Sequence, residues 1–93
     1  MTYEYAEKKI DELFNKALER IDRINQMIEA DADWLDMSLW ISRKYDAVSN
    51  YTAATNTVVE IYIELNPGAE DWIELHNLSW RNFEKLEIEA KPE

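Results

Sequence analysis

The chain has 93 residues, with twenty acidic side chains against ten basic ones, a single histidine and no cysteine. A formal net charge of −10 disfavours ordinary binding to duplex DNA, RNA or anionic lipid, and the lack of cysteine excludes disulfides, thiolate nucleophiles, zinc-thiolate sites and iron–sulfur clusters. Hydrophobic residues at 46%, including four Trp, five Tyr and two Phe, exclude a disordered acidic tail and are enough for the one modest core that a single domain of this size can build.

From Tyr3 to Ile28 the apolar side chains Tyr3, Ala6, Ile10, Leu13, Ala17, Ile21, Ile24 and Ile28 recur in steps of three or four. That spacing predicts an amphipathic helix. Phe14 and Leu18 widen the stripe beyond a coiled-coil seam, so the helix is expected to pack against more than one neighbour. Glu4 with Lys8, Glu12 with Lys16 and Glu19 with Arg23 place acid four residues before base on the wet face. Glu4 and Glu7 also stand where an export signal would need a basic start and an apolar stretch, so no export and a cytoplasmic location are expected. No apolar run approaches the ~20 residues of a membrane helix.

Residues 29–33 interrupt the stripe and predict a turn, with Asp31 or Asp33 capping a second helix. Trp34, Met37, Ile41, Tyr45, Val48, Thr52, Thr55, Val58, Tyr62 and Leu65 then keep helical spacing up to Asn66-Pro67-Gly68. The helix would be about 50 Å long, and its Ser-, Thr-, Asn- and Ala-rich stretch 49–57 predicts a kink or break, or else a seam of small residues for a close neighbour. Residues 59–65 and 86–90 also alternate in the manner of strands, which leaves an α+β fold with a two-stranded sheet as the alternative to an all-α fold.

Asn66 as N-cap, Pro67 at the first helical position, and Glu70 and Asp71 in the opening turn predict a third helix from residue 67 to near Lys91-Pro92. Its stripe is Trp72, Leu75, Ser79, Phe83, Leu86 and Ala90. The similarity of Asp33-Trp34-Leu35-Asp36-Met37 to Asp71-Trp72-Ile73-Glu74-Leu75 extends over five positions only and reflects shared helix-start chemistry, not a repeat. The expected architecture is therefore an elongated, all-α three-helix bundle in one domain, with a long, kinked second helix.

Catalytic equipment is sparse. His76, the one imidazole, has Trp72, Ile73, Ser79 and Trp80 as helical neighbours, with no carboxylate among them, and no nucleophile elbow surrounds any serine. It is read as a structural or surface residue. Glu4-x-x-Glu7 followed by Glu19-x-x-Asp22 is superficially similar to the paired acidic motifs of all-α nucleotide pyrophosphohydrolases. Both pairs fall on one helix, however, with Glu7 and Glu19 about 18 Å apart, whereas a metal ligand stands about 2.0–2.6 Å from its ion. A carboxylate site for a divalent metal, assembled across helices from Asp33, Asp36 and Asp71, is the remaining enzymatic alternative; no cofactor is expected.

The acids are unevenly spread, with nine against three bases from Glu60 to Glu93. The expected function is non-enzymatic: an acidic surface of Asp33, Asp36, Glu60, Glu64, Glu70, Asp71, Glu74, Glu84 and Glu87 engages a basic protein partner. Its sharper form is inhibition of a nucleic-acid enzyme by occupying its phosphate site, as small acidic phage proteins do to restriction or CRISPR enzymes. A homodimer formed through apolar surface of the second and third helices, with Trp40, Tyr51, Tyr62 and Trp80, is also expected, since Trp and Tyr are enriched at interface hot spots; a self-associating structural or interaction protein is the alternative function, beside the divalent-metal hydrolase.

Overall fold

The computed structural model describes residues 1–30 and 34–91, and the side chains of all of these except residues 34–36. Three helices follow one another, α1 (Tyr3–Ala30), α2 (Trp34–Leu65) and α3 (Trp72–Ala90), and each packs against both others. The fold is all-α, and the alternating segments 59–65 and 86–90 belong to α2 and α3, so the sheet alternative is overturned. Helical stripes already running through both segments, with Val58, Val59, Tyr62, Leu86 and Ala90 buried, decide the conflict between the two periodicities.

The body measures 52 × 16 × 16 Å, the length of α2 being the length of the molecule. Its radius of gyration of 15.4 Å exceeds the roughly 12 Å of a compact domain of this size. No break occurs at 49–57. The hydroxyls of Thr52, Thr55 and Thr57 donate to the carbonyls of Val48, Tyr51 and Ala53, four residues back, so they are satisfied within the helix instead of competing with it. Nor is the stretch one seam of small residues, because Ala47 is buried while Ser49 and Ala53 are exposed.

The core divides along the long axis. One cluster joins Ala6, Ile10, Val58, Val59, Tyr62 and Leu75; the other joins Ala17, Ile21, Ala47, Val48, Tyr51, Leu86 and Ala90. Buried polar groups lie around the junction: Tyr51 Oη donates to the Ser79 carbonyl at 3.0 Å, Ser79 Oγ bonds Thr55 Oγ1 at 2.9 Å, and Asn82 is buried with its Nδ2 making at most a weak contact to the Tyr51 hydroxyl.

The buried face of α2 differs from the predicted stripe. Tyr45 and Leu65 are exposed, whereas Lys44, Ala47 and Tyr51 are buried. Met37, Ile41, Lys44, Val48, Tyr51, Thr55, Val58 and Tyr62 step alternately by four and three, the spacing of a heptad seam, and Lys44 occupies a seam position that its charge concealed. On α3 the seam likewise passes through Asn82, with Phe83 only partly buried.

The third helix starts five residues later than predicted. Asn66-Pro67-Gly68-Ala69 form a tight turn, closed by the Ala69 N–H donating to the Asn66 carbonyl at 3.1 Å, with Gly68 in the left-handed region at φ 86°. Asn66 therefore finishes α2 and does not cap α3: its Nδ2 donates to the carbonyls of Tyr62 and Met1, tying the opening of the chain to the end of α2. Asp71, next to the start of α3, makes no side-chain cap because its Oδ1 accepts the Tyr62 hydroxyl at 2.7 Å. The capping role predicted for Asp31 or Asp33 lies outside the described residues.

Candidate binding surface

The predicted acidic residues fall into separate groups. Because the helices alternate in direction, the start of α3 lies beside the start of α1 and the end of α2. Tyr3 Oη donates to Glu74 at 3.4 Å, Tyr3 and Tyr62 meet edge to face at 6.3 Å, and Tyr62 bonds Asp71. Glu60, Glu64, Glu70 and Glu74 are exposed at this end, Asp71 is half-buried, and Glu4 and Glu7, absent from the predicted site, join them. Residues 1–9 and 60–74 together hold seven acids against two bases, a formal −5 out of the chain's −10. Sequence spacing could not show this, because the antiparallel return of α2 is what brings residues 4–7 beside 70–74.

Asp36 belongs elsewhere. It stands in the first turn of α2, 26 residues before Tyr62 on the same unbroken helix and so about 39 Å from the Asp71 contact. Asp33 and the side chain of Asp36 lie outside the described residues. The expectation that Asp36 shares one end with Asp71 is overturned, and with it a metal site that uses both; the part expected of Asp33 lies outside the described residues. Among the described residues no three His, Asp or Glu side chains converge to hold a metal ion.

Glu84 and Glu87 form a third group. They follow Trp80 by four and seven residues, on one flank of α3 that also carries Ile73. Trp80 is 55% exposed and Ile73 48% exposed, and Trp80 lies at 5.2 Å from the partly buried Phe83 ring. Of the predicted self-association residues, Trp80 is thus at the surface and Trp40 is half-buried, with the Arg43 guanidinium 5.2 Å from its ring. Tyr51 and Tyr62 are core residues, 3% and 4% exposed, so their assignment to a dimer surface is corrected: their rings fill the monomer's own heptad seam.

Electrostatics at the crowded end are dominated by unpaired acid. Among the described residues the one ion pair within 4.0 Å is Lys9–Glu12 at 3.9 Å, and the predicted pairs Glu4–Lys8, Glu12–Lys16 and Glu19–Arg23 do not close. Exposed pairs of this kind gain too little to hold two long side chains in place. Hydrogen bonding to Asp71, with burial and the Asp71 charge adding to it, pushes the Tyr62 phenol up to about 12. Burial raises Tyr3 and Tyr51 as well. His76 is exposed.

No family model matches the chain, and neither a curated protein nor a solved structure matches it. Among the described residues no helix is long and apolar enough to cross a membrane.

Proposed function

We propose that the protein is a non-enzymatic binding module whose acidic end, formed by Glu4, Glu7, Glu60, Glu64, Glu70, Asp71 and Glu74, engages a basic protein partner. The observation that supports this reading is the gathering of half the net charge at one end of the body, on exposed side chains with little compensating base. Such a field steers a positive surface toward it and sets the orientation of encounter.

The sharper form of the proposal is a phage-type inhibitor that occupies the phosphate site of a nucleic-acid enzyme. Magnitudes limit how it would act: −10 spread over 52 Å is one net charge per about 5 Å, against one per ~1.7 Å of duplex. The whole body is too dilute to replace a duplex along its length, whereas the acidic end concentrates enough charge to cover a local phosphate-binding patch. The test is capture of partners from a host lysate at about 0.1 M and about 1 M salt, over which the Debye length falls from about 10 to about 3 Å. A basic partner that is lost at high salt, lost with the triple variant Glu64→Gln/Glu70→Gln/Glu74→Gln, and displaced by duplex DNA is the expected result. A partner indifferent to all three refutes the reading.

Self-association is the second reading, supported by the exposed Trp80 and Ile73 on one flank of α3. Sedimentation of the wild type and of Trp80→Ala tests it: a dimer that the substitution dissociates supports self-association, and a wild-type monomer at high protein concentration removes it.

A further inference from the structure

Among the described residues a cleft opens at the end of the bundle opposite the acidic cluster. It has a volume of about 530 Å³ and lies between the last turns of α1, the first turns of α2 and the end of α3. That volume is in the range of small-molecule sites, about 300–1,000 Å³. Its apolar walls are Ile28, Met37, Ile41 and Ile88, contributed by all three helices, while the rest of the lining is polar.

One lining residue is out of place in such walls. Lys44 is only 3% exposed, and its Nζ donates to Asn25 Oδ1 at 2.9 Å. Lysine is almost never this buried unless paired with opposite charge, and an ammonium carries three donors. Among the described residues Asn25, a neutral group, is the hydrogen-bond partner and no carboxylate lies within 4.0 Å. Asn25 is itself positioned, its Nδ2 reaching the Glu89 carbonyl at 3.5 Å. At the rim stand Glu29 and Glu89 together with Lys91, all exposed.

We propose that this cleft binds a small zwitterion with an apolar body. Its carboxylate takes the remaining donors of Lys44, its apolar part lies along the isoleucines, and its ammonium faces Glu29 and Glu89. A simple anion is the poorer fit, since the two rim acids outweigh Lys91 and the chain's net charge repels it, and a simple cation is the poorer fit because it meets Lys44 and Lys91. The proposal is independent of the partner reading, which uses the other end of the molecule.

The experiment is an NMR titration of the intact chain with leucine, with isocaproate, which lacks the amine, and with isoamylamine, which lacks the carboxylate. Leucine is expected to bind most tightly, isocaproate more weakly and isoamylamine not at all, with shifts confined to the cleft. Lys44→Met places an apolar chain at a seam position, so it should keep its helical spectrum, and it is expected to weaken leucine by about tenfold or more, the worth of a hydrogen bond to a charged group. Ile88→Trp, at an exposed rim position, should block entry while leaving Lys44 in place. Binding of isoamylamine as tight as that of leucine, unchanged binding by either variant, or no binding of leucine at millimolar concentration overturns the proposal.

Discussion

At one end of the bundle, Tyr3, Tyr62, Asn66 and Asp71 tie all three helices together around the cluster of Ile10 and Leu75; at the other, the cluster of Ile21 and Leu86 gives way to a cleft around a buried lysine. Both ends use the same heptad seam. They differ in how polar groups are employed: the closed end spends them on hydrogen bonds between elements and leaves its acids in water, while the other buries a cation within the seam. Closure at one end is therefore a matter of side-chain bonds around a turn, and the acidic field is a by-product of where those bonds bring three chain segments together.

The largest effects test whether the two clusters are one cooperative core. Leu75→Ala and Leu86→Ala each remove a fully buried side chain, one from each cluster, and each is expected to lower unfolding free energy by about 2–5 kcal/mol. Denaturant titration followed by helical signal should show a single transition in both variants, with unchanged slope. Two separated transitions would divide the molecule into independent halves.

A smaller change of opposite sign is expected between the clusters. Asn82 Nδ2 is buried with at most a weak contact to the Tyr51 hydroxyl, and a donor so poorly satisfied costs up to about 1–3 kcal/mol. Asn82→Leu should raise the unfolding free energy by about 1 kcal/mol or more while letting α3 sample other registers, since a polar seam residue fixes register at the expense of stability. Chemical denaturation measures the first effect and line broadening along α3 the second. Destabilisation would show that the amide makes a bond essential to the core.

These two positions also mark how far the sequence can be read. The α1 stripe follows from apolar spacing alone, because Ala6, Ile10, Ala17, Ile21 and Ile24 are both apolar and buried, whereas in α2 and α3 the same spacing leaves a strand reading open beside the helical one. Lys44 and Asn82 escape an apolar stripe because polarity reads as exposure, and the predicted register of α2 consequently passes through Tyr45 and Thr52. The strict alternation of three- and four-residue steps through Lys44 and Tyr51 was the available signal. The acidic end was half legible: Glu60 to Glu74 stood out by composition, but the neighbourhood of Glu4 and Glu7 depends on helix direction and length, which no local pattern states. The late start of α3 hung on Pro67-Gly68, a pair that suits a tight turn as well as a helix start.

The closed end has its own signature in alkali. The Tyr62 phenol is raised from 10.0 to about 12 in the folded chain, so its contribution to stability is complete below about pH 10, where it is neutral in both states. It declines as the unfolded chain ionises first and is lost as pH rises through about 12. Ultraviolet titration should show one phenol ionising near that value, and Tyr62→Phe should remove it and flatten the alkaline fall in stability. A Tyr62 that titrates near 10 would mean that its bond to Asp71 does not persist.

The central claim, that the field of the acidic end drives partner capture, is tested most directly by measuring the partner's Kd against salt for the wild type and for Glu64→Gln/Glu70→Gln/Glu74→Gln. The account predicts affinity that weakens steeply with salt in the wild type, and in the triple variant an affinity about tenfold or more lower with a shallower salt slope. Equal affinity and equal slope for the two proteins, with binding abolished instead by Trp80→Ala, would contradict it.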